Sequence, residues 1–278
     1  MIRLSAFADE ISADLDAQIA VLRSENISFL DLRGVWNTNV LDLSEAQTTE
    51  IQQTLHEQGI GVAAIGSPIG KVPIDSPFDE HLQRFERAIT LAKFFDTPFI
   101  RIFSFYPPTN AGDSADPTDW RGEVLHRLRE LTARASAAGI VLLHENEKDI
   151  YGDTIARCAD LLKNIDDVHF QVIFDPANFI QCEQTPYPDA YEALRPWLKY
   201  MHVKDARPDG SVVAAGEGVA HWPELLQQLH KDGYDGFFAL EPHLASAGQY
   251  SGYSGPDLFR YASQALQEML HEVGWEFA

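Results

Sequence analysis

The chain has 278 residues, 45% of them hydrophobic, and 21 basic against 42 acidic side chains give a net charge of −21. So acidic a surface repels phosphate backbones and anionic lipid, which leaves no nucleic acid and no membrane among the expected partners. The opening MIRLSAFADEIS has no cationic segment before an apolar run, and no window approaches the roughly 18 apolar residues of a membrane helix, so a cytoplasmic location is expected.

Eight short apolar runs alternate with longer amphipathic stretches. In order they are IRLSAFA, SFLDLRGV, GVAAIGSP, PFIRIFSF, IVLLHENE, FQVIFDPAN, YMHVKDA and FFALEPH. Their β-branched and aromatic content predicts strands, and a helix is predicted after each. The first helix begins near Ser12, with Asp14 and Asp16 in its first turn. The third covers 78–95 and the last 256–273. Gly59, Gly139 and Gly233 stand where a left-handed residue ends a helix before the next strand. Cys158 and Cys182 form no CxxC pair, which fits two small buried or half-buried side chains in a reducing compartment. Eight strand–helix units without a composition shift predict one (β/α)8 TIM barrel, residues 1–278 as a single domain. A doubly wound sheet fits less well, because no GxGxxG follows the first strand.

Four consecutive strands end at a metal-ligating residue. The sixth run stops at Asp175, where Pro176 removes a backbone donor. The fifth carries Glu145, the seventh His202 and the eighth Glu241. Side-chain alternation turns Asp175, His202 with Lys204, and Glu241 inward. On the fifth strand the same rule groups Leu143, Glu145 and Glu147 on one face and His144 with Asn146 on the other, so His144 competes with Glu145. Three carboxylates and one imidazole form a hard, oxygen-rich set that suits one divalent ion. Mn²⁺ or Mg²⁺ fits best, and Zn²⁺ or Co²⁺ is compatible.

FDPAN, MHVKD and LEP, after an ENE-bearing strand, resemble the xylose isomerase-like TIM barrels. That sugar isomerase/epimerase superfamily also holds ketose 3-epimerases, inosose-processing enzymes and endonuclease IV. FADEIS, DLRGVW, GSPIGK and RIFSFY look like one sugar isomerase/epimerase subgroup. The resemblance implies Glu145, Asp175, His202 and Glu241 as metal ligands. It also implies Glu145 and Glu241 as the catalytic pair, moving protons on a keto sugar or related polyol ketone through a metal-stabilised enediolate. A homo-oligomer is implied by resemblance alone. Epimerases of this group often carry a His three residues after the metal Asp; here that residue is Asn178, so its hydrogen bonds to substrate must differ. Lys204, Glu147 and Lys71 join Asn178 as candidate substrate contacts. An inosose-type dehydratase using the same site and a non-catalytic sugar-binding barrel are the alternatives. Endonuclease-type chemistry fits poorly, with the charge wrong for DNA and only His144, His202 and His243 near strand tips.

The remaining features read as structural. Asp31 and Arg33 share a strand face and, with Arg101, suggest a buried ion-pair layer. Trp36, Phe7, Phe103, Phe105 and Tyr106 read as core packing. Gly216-Glu217-Gly218 reads as a turn. The acidic, Pro-rich stretch 107–119 reads equally as a lid or an ordinary loop.

Overall fold

All eight apolar runs become parallel strands: β1 (Arg3–Ala6), β2 (Phe29–Leu32), β3 (Gly61–Ile65), β4 (Phe99–Ile102), β5 (Val141–Glu145), β6 (Phe170–Phe174), β7 (Leu198–Val203) and β8 (Phe237–Leu240). This computed structural model describes residues 1–112, 115–247 and 252–277. The ladder runs β1-β8-β7-β6-β5-β4-β3-β2, all neighbours parallel. This is a nearly closed (β/α)8 barrel. Between β1 and β2 side chains take over: the Ser5 hydroxyl on β1 donates to the Asp31 carboxylate on β2. The Tyr200 hydroxyl on β7 donates to the same carboxylate at 2.9 Å.

Strand alternation sorts the side chains as expected. Leu143, Ile173, Tyr200, Phe237 and Ala239 fill the barrel interior. Leu142, Val172, Phe174, Met201, Val203, Phe238 and Leu240 face the helices. Those helices are α1 (Leu15–Ser24), α2 (Glu45–Gln58), α3 (Phe78–Phe94), α4 (Arg121–Ala138), α5 (Ile155–Ile165), α6 (Pro176–Gln181), α7 (Tyr191–Leu194), α8 (Trp222–Lys231) and α9 (Gly255–Val273). None, among the described residues, is long and apolar enough to cross a membrane.

Two helix expectations need correction. α1 starts at Leu15, not near Ser12, because the Asp14 carboxylate accepts the Ala17 N–H at 2.9 Å and acts as its N-cap. After β6 no long helix forms. Pro186, Pro188 and Pro196 each lack an N–H, and Tyr187 is extended at φ −130°, so the chain covers β6 in short pieces. A hairpin, Gly34–Val35 with Thr38–Asn39, interrupts the path from β2 to α2. Its central Trp36 and Asn37 both have positive φ, 53° and 56°, the handedness that matches strand twist in a two-residue turn. The stretch 107–119 includes Asp113 and Ser114, outside the described residues. Its start is tied down where Thr109 N–H donates to Asp75 at 3.1 Å.

Gly70 marks the tightest backbone approach near the barrel mouth. Its φ is +88°, and a Cβ there would meet the Phe103 carbonyl oxygen at 2.0 Å. Gly59 caps α2 at φ +68° with nothing within 4 Å. Gly59→Ala is therefore expected to cost only about 1 kcal/mol of left-handed strain. Gly70→Ala should cost clearly more, about 3 kcal/mol or above, since the backbone itself must move. Urea titration of both variants checks the order; equal losses would contradict it.

Candidate metal centre

The four strand-tip residues meet. Single ligand atoms of Glu145, Asp175, His202 and Glu241 lie within 4.8 Å of one another. His202 Nδ1 is 3.2 Å from Glu145 Oε1, 3.4 Å from Glu241 Oε2 and 4.0 Å from Asp175 Oδ2. Octahedral ligands at about 2.1 Å from an ion stand about 3 Å from their neighbours, so these spacings suit a divalent cation. All four side chains are at most 3% exposed. Both ring nitrogens of His202 are buried without a well-formed hydrogen bond among the described residues, Nδ1 facing carboxylate oxygens, whereas Asp175 Oδ2 is ion-paired with Lys204 Nζ at 2.8 Å. Buried groups of this kind are otherwise paired, so the donor set fits a cation.

Local chemistry aims each donor. The competition on β5 is resolved by the pleat: Glu145 turns into the barrel with Leu143, whereas His144 packs outside against Phe170 and Gly152. Asp175 ends β6 and caps α6, its Oδ1 accepting the Asn178 N–H at 3.0 Å, which leaves Oδ2 for the cluster. Asn146, on the opposite face of β5, clamps the Asp175 peptide through both its N–H and C=O, at 3.0 and 2.9 Å. Asn178 Nδ2 donates to Asn146 O at 2.8 Å and to Glu145 Oε1 at 3.3 Å, so this residue orients Glu145. Lys204 Nζ lies 2.8 Å from Asp175 Oδ2 and 3.4 Å from Glu241 Oε2. Glu147 pairs with Lys71 at 3.0 Å, and that lysine also covers the Phe103 ring at 4.3 Å. The Gly216-Glu217-Gly218 turn is pinned by the Asp205 carboxylate, which accepts N–H groups of Gly216, Gly218 and Ala220 at 3.0–3.1 Å.

Arg33 and Arg101 also belong to the centre. The ion-pair layer exists, but Asp31 is not its acid; that carboxylate sits lower, with Ser5 and Tyr200. Arg101 Nη1 lies 3.1 Å from Glu145 Oε2 and 3.4 Å from Glu241 Oε1. Arg33 reaches Glu241 at 2.7 Å, Asp9 at 2.8 Å and Glu10 at 3.7 Å. Both guanidinium groups cover the Phe7 ring, at 4.6 and 4.7 Å, and Phe7 meets the His202 ring edge-on at 5.1 Å. Phe7 is thus a wall of the site as well as core. Glu10 and His243, 3.1 Å apart, form a neighbouring cluster that shares Glu241. The signal for the arginines lay in the sequence: a guanidinium inside an apolar strand such as FIRI needs buried carboxylates. Glu10 and His243 carried no comparable signal.

Asp9, Glu10, Glu145, Asp175 and Glu241, five carboxylates, face three permanent cations, Arg33, Arg101 and Lys204. Without an ion, protons on His202 and His243, raised to about 10 and about 9, meet the two excess negative charges. Without that ion, burial and the neighbouring carboxylates push Asp175 up to about 6 against the pull of Lys204. Burial would lower His202, but Glu145 and Glu241 outweigh it and raise the imidazole to about 10. Burial would raise Glu145, yet His202 and Arg101 outweigh it and hold it at about 2.

A proton and a metal would therefore compete for His202. The metal-free imidazole is protonated below its raised pKa of about 10 and must release that proton to offer a lone pair. About one proton per Mn²⁺ is expected to leave at pH 7.5, with further release as pH falls below about 6 and Asp175 also protonates. Affinity should rise with pH across this window. Calorimetry in buffers of different ionisation enthalpy checks it; zero release at pH 7.5 would contradict it.

Fold and site together define a class: a (β/α)8 barrel with a buried three-carboxylate, one-imidazole cluster, fit for a divalent metal, at the tips of β5–β8. The chain belongs to the xylose isomerase-like TIM barrel family, whose model matches residues 24–269. No curated protein matches it in sequence. Among solved structures it is similar to D-psicose 3-epimerase with D-tagatose from Clostridium cellulolyticum H10, at 16% identity and TM-score 0.76, covering 98% of this chain and 99% of the other. It is also similar to a probable 3-DHS dehydratase of petrobactin synthesis from Bacillus anthracis, at 18% identity and TM-score 0.73, covering 96% and 99%. A third is a xylose isomerase-like TIM barrel protein from Mycobacterium smegmatis in complex with magnesium, at 18% identity and TM-score 0.72, covering 98% and 97%. At such identities the likeness shows a shared fold.

Proposed function

We propose that the protein is a divalent-metal-dependent sugar isomerase or epimerase, acting on a small keto sugar or related polyol ketone. The observation that carries this reading is the convergence of Glu145 and Glu241, from different sides of the barrel, on one His202 nitrogen and one guanidinium. A bound Mn²⁺ or Mg²⁺, held by Glu145, Asp175, His202 and Glu241, supplies polarisation of a carbonyl and stabilisation of charge on a neighbouring oxygen. The protein's own groups do the rest.

Arg101, beside both glutamates, favours their charged forms, and a charged carboxylate is the form that accepts a proton from carbon. One glutamate, charged, removes the hydrogen beside the keto group; the other, which takes up a proton from solvent before the turnover, gives that proton to the opposite face, and the first releases its proton to solvent afterwards. Return to the same carbon epimerises; return to the next carbon isomerises. Lys204 is held charged by Asp175 and Glu241, so it serves as a hydrogen-bond donor to a substrate oxygen. Asn178 steadies Glu145, and the Lys71–Glu147 pair offers further substrate contacts.

The fold shared with a probable dehydratase favours one alternative, loss of water from a polyol ketone after the same proton removal. The test is incubation of ketoses and keto-inositols with Mn²⁺-loaded protein in D₂O, read by NMR. Exchange of the hydrogen beside the carbonyl with the carbon skeleton's hydroxyls retained supports the isomerase. Exchange with loss of water supports the dehydratase. No exchange with any ketone would leave a sugar-binding barrel.

A further inference from the structure

Between the loops that follow β1 and β2 lies a cavity of about 600 Å³, walled by Asp9, Ser12, Arg33, Asn37, Thr38 and Asn39 among others. Its walls include none of Glu145, Asp175, His202 and Glu241, so it is room beyond the centre of chemistry. Arg33 joins the two spaces. Its Nη1 donates to Glu241 Oε1 at 2.7 Å, and the same side chain forms part of the cavity wall. The volume lies in the range, about 300–1,000 Å³, of pockets that enclose ligands larger than one small sugar.

The lining says what the cavity takes. Asp9 and Arg33 both line it and are paired with one another at 2.8 Å. The charge balance then selects among ligands. The single charge of Arg33 is already shared by Asp9, Glu10 and Glu241. A phosphate or carboxylate would meet a negative field, whereas Ser12, Asn37, Thr38 and Asn39 offer neutral hydrogen bonds. Tyr253, 45% exposed on the same cavity, adds an aromatic face for the C–H side of a sugar ring.

We propose that this cavity is a subsite for a second, neutral sugar ring, so that the substrate is a keto sugar carrying a glycosyl substituent rather than a free or phosphorylated monosaccharide. This deepens the isomerase reading and rests on it. The keto end lies at the metal centre, and the substituent passes Arg33 into the cavity, where Ser12, Asn37, Thr38 and Asn39 offer hydrogen bonds to its hydroxyls.

The test is calorimetric binding of isomaltulose, D-fructose and fructose 6-phosphate to the full chain, with and without Mn²⁺. Isomaltulose is expected to bind at least about tenfold more tightly than fructose, and fructose 6-phosphate no more tightly than fructose. In Tyr253→Ala, and in Ala13→Phe, which fills the cavity, the isomaltulose advantage should fall to about twofold or less. Circular dichroism reports which variant is folded, and either one suffices. Equal binding of isomaltulose and fructose, tightest binding of the phosphate, or an advantage that survives in a folded variant would overturn the subsite. Exchange in D₂O on the same samples separates the two claims. Fructose exchange without an isomaltulose advantage keeps the isomerase and removes the subsite. An isomaltulose advantage with no exchange of either sugar keeps the subsite and removes the isomerase.

Discussion

Glu241→Gln is expected to cut deuterium exchange beside the keto group by about 10²–10⁴-fold, the usual weight of a positioned acid–base group. The amide keeps the size of the side chain and one oxygen for a metal, so roughly one Mn²⁺ per chain should still bind, though less tightly. What it loses is the ability to take or return a proton. It also loses the negative charge that Arg33, Arg101 and Lys204 share, at 2.7, 3.4 and 3.4 Å. Metal content by mass spectrometry and exchange by NMR, on one preparation, separate the two effects. Full exchange in this variant would remove Glu241 from the mechanism. Loss of metal together with exchange would make it a ligand first and a base second.

Arg101→Met should be strongly destabilising. The guanidinium is buried, spans Glu145 and Glu241, and packs on Phe7 and Phe103. Removing one partner from a buried ion pair costs about 3–5 kcal/mol, because the remaining charges stay buried. For a chain near this size that corresponds to a fall in melting temperature of about 6–20 °C. The sign of the pH dependence follows from Glu145, which is held at about 2 by His202 and Arg101 against burial. A depressed carboxylate stabilises the fold above its unfolded pKa, and that contribution fades as pH falls toward the folded value. The variant should therefore lose most relative to the parent above about pH 5 and progressively less in acid. Added Mn²⁺ should restore part of the loss, since it returns positive charge to the same carboxylates. Thermal melts across pH, with and without the ion, check this; a loss under about 1 kcal/mol would contradict the picture of uncompensated charge.

The ring of eight strands was legible because its signal is local. Apolar runs of β-branched residues, glycines at helix ends and a fixed pleat alternation are each readable within a few residues. That alternation alone puts Asp175, His202 and Glu241 on inner faces. It failed to choose between His144 and Glu145, since both neighbours on β5 suit a ligand and only packing against Phe170 and Gly152 decides. It also misread the cover of β6, where closely spaced prolines break what amphipathic spacing joins.

The chain's order of residues, by itself, determined the barrel and the kinds of donor at four strand tips, because both follow from periodicity and chemical type. Only tertiary structure decided which charges meet. Asp31 and Arg33 stand two residues apart on one face, yet the acid turns to Ser5 and Tyr200 while the base crosses to Glu241, 208 residues away. Ion pairing in a low-dielectric interior depends on distances set by strands remote in sequence, and no local rule encodes those distances.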